Sequence, residues 1–310
     1  MQIKKFIIKV LVFGVLNLGI MAGLLYSFSG RSRDIHLNNW ETESNLLVMG
    51  KNTHYGVAIL GTSRARVFSR DSNHRRVEQI LGKSVINLSK GGGGGLMPAE
   101  LHLSHFFDQG NTADHIIYLI DPWVFFCSIN NENNNFFLRD EPFEISIFWK
   151  LIARHYPLDR IVSYLQMIAK KDWKNFTRYD APGLTENTLA AIDPEKLQEA
   201  RAHYLSLYRD KNFEKYSRLV DTIDALVKKN NSTITYIMLP ILIPDFPGVE
   251  KVDKKLKAAA CEPHVRYYNL VERVQDKRYY YDHMHFNKTG ISYFTKNYLK
   301  PILQGKPVTD

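Results

Sequence analysis

The stretch Val10–Phe28 constrains this chain more than any other part of it. It runs 19 residues without a charge, interrupted only by Asn17, Ser27 and three glycines. At about 1.5 Å per residue, a helix of that length just crosses a hydrocarbon core of about 30 Å. A surface helix of a globular domain needs only one apolar face, and this one is apolar all round. Lys4, Lys5 and Lys9 precede it, which favours a cytoplasmic N-terminus and an exported remainder, although Arg31 and Arg33 reduce the asymmetry. Two readings stand at this level. Residues 1–33 are either a retained membrane anchor or a signal peptide cleaved near Ser27-Phe28-Ser29. The run exceeds the roughly 7–15 residues of a signal core, which favours the anchor.

Residues 34–310 form the second expected unit. The formal net charge is +9, and the five cations of the first 33 residues leave +4 for the rest. That mild excess suits an anionic membrane surface or polymer, or simply a solvated basic surface. No finger spacing, aromatic strand motif or basic heptad accompanies it, so a nucleic-acid partner is not expected. Cys127 and Cys261 fit no metal spacing and read as two buried thiols, with a disulfide as the alternative in an exported domain.

Beyond a polar, poorly periodic linker over residues 30–54, short apolar runs alternate with helical patterns. Strands are expected at Val57–Leu60, Ser84–Leu88, Ile116–Ile120, Ile234–Leu239 and Val265–Asn269. Helices are expected over 63–81, 98–109, 213–229, 250–260 and 288–303. Residues 124–210 break the rhythm and read as an insert, with two amphipathic helices over 143–155 and 158–171 separated by Pro157. The pattern predicts an α/β fold: a three-layer α/β/α sandwich on a mainly parallel five-stranded sheet, flavodoxin-like in outline, with ligands bound beyond the carboxyl ends of the strands.

Three segments at strand ends carry chemistry. Gly61-Thr62-Ser63 follows the first strand. A serine there exposes its hydroxyl above the sheet, and its N–H lies at a helix N-terminus that favours negative charge; taken alone, the same serine reads as a helix cap. Asn87-Leu88-Ser89-Lys90 leads into Gly91–Gly95, where backbone N–H groups approach a ligand closely. The Gly-Lys-Ser/Thr ending of a phosphate loop is missing, and no acid stands where a dinucleotide ribose requires one. Tyr281-Asp282-His283-Met284-His285 precedes the last helix. The spacing from Asp282 to His285 lets the carboxylate orient the imidazole that takes a serine proton. A metal site on His283, His285 and Asp282 is the rival, but no further ligand is spaced to complete it.

Taken together, Gly-x-Ser, Asn-x-x-x-Gly and Asp-x-x-His in this order resemble the SGNH (GDSL-like) hydrolase superfamily across residues 55–303. The resemblance implies Ser63 as nucleophile, Asp282 and His285 as its triad partners, and the N–H groups of Ser63 and Gly92, with Gly93 close behind, as oxyanion donors. It implies no cofactor and no metal. One block departs from the pattern: Trp123 stands where the superfamily's oxyanion-donating Asn belongs, after Ile120-Asp121-Pro122. The phrase Pro122-Trp123-Val124-Phe125 is similar to the corresponding region of the single-anchor D-alanyl-transfer (DltD-like) branch. That likeness implies a membrane-anchored, outward-facing esterase or O-acyltransferase. Its substrate would be an acylated glycan or envelope polymer, and its partner a membrane-bound O-acyltransferase. The alternative is a non-catalytic envelope protein on the same scaffold. Arg64 is left open between anion binding and surface decoration, and Arg66 is expected to be decoration.

Overall fold

In a computed structural model, which describes residues 2–30, 42–133, 138–173 and 183–307, five strands lie side by side and all run parallel. They are β1 (His54–Gly61), β2 (Val85–Asn87), β3 (Thr112–Ile120), β4 (Thr233–Met238) and β5 (Val265–Asn269), in the order β2-β1-β3-β4-β5. Successive residues of β1 serve different cores: Val57 and Ile59 pack into one, Ala58 and Leu60 into the other. A strand buried on both faces reads as a continuous apolar run, which is why these strands were visible as runs. Helices Asn73–Leu81 and Lys288–Phe294 cover one face, and Leu96–Asp108, Phe213–Lys229 and Val249–Ala259 the other.

The chain leaves β1 for β2 on one side and returns across it to β3 on the other. A crevice therefore opens at the carboxyl ends of β1 and β3, the usual ligand position in doubly wound sheets. Gly61 stands opposite Leu119, so Thr62 and Asp121 emerge at nearly the same level.

The N-terminal helix α1 (Gln2–Gly30) has 29 residues, and its most apolar 18-residue window has a mean hydropathy of 2.2, long and apolar enough to cross a membrane. Its last turns pack against the insert: Ser29 Oγ accepts the Phe143 N–H at 2.9 Å.

Four expectations change. The single helix over 63–81 is two, Ser63–Arg66 and Asn73–Leu81. Asp71 and Ser72 between them are left-handed, and the Asp71 carboxylate accepts from the Gly183 and Thr185 N–H groups. The 30–54 linker is a linker only in composition. Residues 31–41 lie outside the described residues, whereas Thr42 to Val48 are mostly buried, with a short helix Asn45–Val48 capped by Ser44. The insert carries a third helix, Pro194–Leu207, behind the Asp193 cap. Cys127 is buried, Cys261 is exposed, and both are free thiols.

Candidate active site

Gly61 turns the strand into the nucleophile loop. At its φ of +149°, a Cβ would sit 2.5 Å from both the Leu119 carbonyl oxygen and the Ala65 Cβ, so a side chain is excluded. Thr62 caps the following helix, accepting from the Arg64 N–H and donating its hydroxyl to Asp121. Ser63 opens that helix at the floor of the crevice.

The loop before the last helix brings the base to it. His285 Nε2 lies 2.9 Å from Ser63 Oγ, and His285 Nδ1 lies 2.9 and 3.1 Å from the two Asp282 oxygens. A carboxylate only accepts, so Nδ1 carries the proton and Nε2 accepts from the serine hydroxyl. Asp282 Oδ1 also accepts the Met284 and His285 N–H groups at 2.7 Å each. Burial pushes the Asp282 carboxyl up, but these hydrogen bonds more than reverse it and hold it below the ordinary carboxylate range. The Tyr281 ring stacks on the imidazole, centroids 5.3 Å apart and planes nearly parallel. Ser63, Asp282 and His285 are thus brought together. His283 is not: its Nε2 accepts the Asp193 N–H at 3.1 Å and so ties this loop to the insert.

The glycine loop forms the facing wall. Gly92 has a left-handed φ of +71° and lines the cavity beside Ser63. Gly94 is pressed between the backbone carbonyls of Lys90 and Gly61, where no Cβ fits. Asn87 joins this loop to the nucleophile turn, donating to the Ala65 carbonyl at 3.0 Å. Trp123 turns onto Tyr204 of the third insert helix, ring centres 5.2 Å apart; its buried Nε1 has no hydrogen-bond partner among the described residues.

Both arginines beside the nucleophile are buried, which overturns decoration for Arg66 and settles the position of Arg64. Arg64 fans across three chain segments: it donates to Asp121 after β3, to the Pro240 carbonyl after β4, and to the Met284 carbonyl next to His285 at 2.9 Å. Arg66 points the other way, donating to the Asn87 and Thr42 carbonyls, with Glu43 at 3.5 Å. Glu43 also takes Arg70 at 2.8 Å. Beyond lies Glu141, fully buried, which accepts from the Ser44 hydroxyl, the Asn45 and Leu46 N–H groups, and Lys90 at 3.0 Å. Burial alone would raise this carboxyl, but Lys90, His102 and Ser44 together hold it far below the usual range. Glu43 is likewise lowered against burial, by Arg66, Arg70 and Lys90.

These groups enclose a cavity of about 560 Å³. Its lining joins Ser63, Tyr281, Asp282 and His285 to Glu43, Arg70, Lys90, Gly91 and Gly92, and the insert adds Arg139, Asp140 and Leu184. Sequence reading missed the whole charged wall. Tyr281 stood in the quoted segment beside Asp282 but was given no role there. The chain matches no protein-family model and no curated protein.

Proposed function

We propose that the protein is a membrane-anchored serine esterase or O-acyltransferase of SGNH type. The supporting observation is the unbroken hydrogen-bond line Ser63–His285–Asp282 on the floor of the cavity. His285 takes the Ser63 proton as Oγ attacks an acyl carbonyl, and Asp282 orients the ring and stabilises the imidazolium. The developing oxyanion is held by the N–H groups of Ser63 and Gly92. His285 then protonates the leaving oxygen. A second hydroxyl, from water or from a sugar or polyol, gives its proton to His285 and takes the acyl group from the serine. With Trp123 in the place of an amide donor, the site works with one donor fewer than the superfamily pattern, worth about 10²–10³ in rate where such donors have been removed. The cavity wall of paired cations and anions suits a hydroxyl-rich glycan or envelope polymer. The anchor, with the domain on the outer side, keeps the enzyme at the envelope, where a membrane-bound O-acyltransferase is its fitting partner.

The test is labelling of the full chain in detergent with a fluorophosphonate probe, beside Ser63→Ala and His285→Ala. Labelling of the wild type that both variants lose is the expected result. A folded wild type that does not label would sink the enzymatic reading and leave a non-catalytic envelope protein on this scaffold.

A further inference from the structure

The first two insert helices carry more apolar faces than a soluble domain needs. Helix Ile145–Ala153 sends Ile147 and Leu151 into the core. Its polar residues Ser146 and Lys150 also turn inward, to His105 and to Ser104 and Asp108. The outward stripe is then Ile145, Trp149 and Ile152, at helical spacing and 47%, 59% and 41% exposed. Helix Leu158–Lys170 buries Ile161, Tyr164 and Ile168 and leaves Leu158 and Val162 75% and 44% exposed, with Asp159, Gln166 and Lys170 exposed as well. Among the described residues outside α1, most of the large exposed apolar side chains lie on this hairpin.

The same face adjoins α1. Leu18, Ala22 and Leu25 of α1 share an apolar groove of about 420 Å³ with Phe148, Trp149 and Leu165 of the hairpin. These α1 residues lie inside the uncharged run, so whatever medium surrounds α1 at their level surrounds the hairpin face too. We infer that the hairpin 145–170 is a second membrane contact, its outer face immersed in the acyl-chain and headgroup boundary of the bilayer around α1. The inference rests on reading α1 as a membrane anchor. The pair matches interfacial helices: an apolar stripe, exposed polar residues such as Asp159, Gln166 and Lys170 beside it on the second helix, and a tryptophan at the boundary. Arg139 and Asp140, just before the hairpin, line the Ser63 cavity, so this contact also bears on how that cavity faces the bilayer.

The experiment places nitroxide labels on the full chain in phosphatidylcholine–phosphatidylglycerol vesicles, in a Cys261→Ser background. Labels go at Trp149→Cys and Leu158→Cys, at Leu18→Cys in α1, and at the exposed Glu199→Cys of the third insert helix. Collision rates with oxygen and with a water-soluble nickel chelate are compared. The expected oxygen-to-nickel ratio at 149 and 158 is several-fold above that at 199 and close to that at 18. A water-like ratio at 149 and 158 with a lipid-like one at 18 overturns the inference and leaves the anchor standing. Low collision with both reagents at 149 and 158 overturns it in favour of a second copy covering the face. A water-like ratio at 18 removes the anchor and this inference with it.

Discussion

Arg64 and Arg66 sit two residues apart on one turn, are equally buried, and do opposite jobs. Arg64 reaches toward the strand ends and the loop that carries His285. Arg66 reaches toward the segment after α1 and the glycine loop. Burying a guanidinium is tolerable when most of its donors are met. Arg64 gives hydrogen bonds to one carboxylate and two carbonyls, and Arg66 gives hydrogen bonds to the Asn87 and Thr42 carbonyls with Glu43 3.5 Å from its Nε. The difference teaches that the nucleophile turn is a hub: one arm sets the base, the other holds the cavity wall.

Four changes bear on that division, from the largest effect down. Asp282→Asn strips the base of its orienting carboxylate while sparing both arginines. Fluorophosphonate labelling should slow by about 10³–10⁴ with unfolding unchanged in urea; an unchanged rate would remove Asp282 from the triad. Arg64→Lys keeps the charge but cannot reach three acceptors, so Met284 and His285 shift. Labelling of the folded protein should slow by about 10–10², and an effect on stability alone would make Arg64 the same kind of residue as Arg66. Arg66→Lys should cost about 1–3 kcal/mol in urea unfolding, from unmet buried acceptors, with the labelling rate per folded molecule unchanged. Glu141→Gln reads the wall through pH. Glu43 and Glu141 both titrate below their ordinary value of 4.5 in the folded chain. The unfolded chain therefore takes up protons first, and the stability they contribute, complete at neutral pH, is lost as pH falls below about 4.5. The variant should start less stable and show a shallower acid limb; an identical limb would mean that Glu141 is not part of that titration.

The sheet and the Asp282–His285 pair were legible in the sequence because each is signalled locally; Ser63, 222 residues from His285, came in only through its place at a strand end and the resemblance. A doubly buried strand is an apolar run, and Asp282 and His285 are near neighbours. The charged wall was not legible, because its pairs join segments from 27 residues apart, as Arg70 with Glu43, to 97 apart, as Ser44 with Glu141. No periodicity reports such pairing. Arg66 looked decorative for the same reason: a cation in a short helix reads as solvated until its remote carboxylate is known. Helix Pro194–Leu207 escaped because Leu197 is its one buried residue and no apolar stripe marks it, although Asp193-Pro194 announces its start. The break at Asp71-Ser72 is set by acceptance from Gly183 and Thr185, again far away in sequence.

The burial of Glu141 also orders events in time. A chain made from its N-terminus presents Ser44, Asn45, Arg66 and Lys90 well before residue 141 follows. Until then Lys90 and the segment after α1 have Glu43, Arg66, Arg70 and Leu88 to meet, and the Ser44, Asn45 and Leu46 groups that bond Glu141 wait. Contacts of such long sequence separation form late and slowly. The cavity wall is therefore completed only after β1, β2 and β3 have all been made.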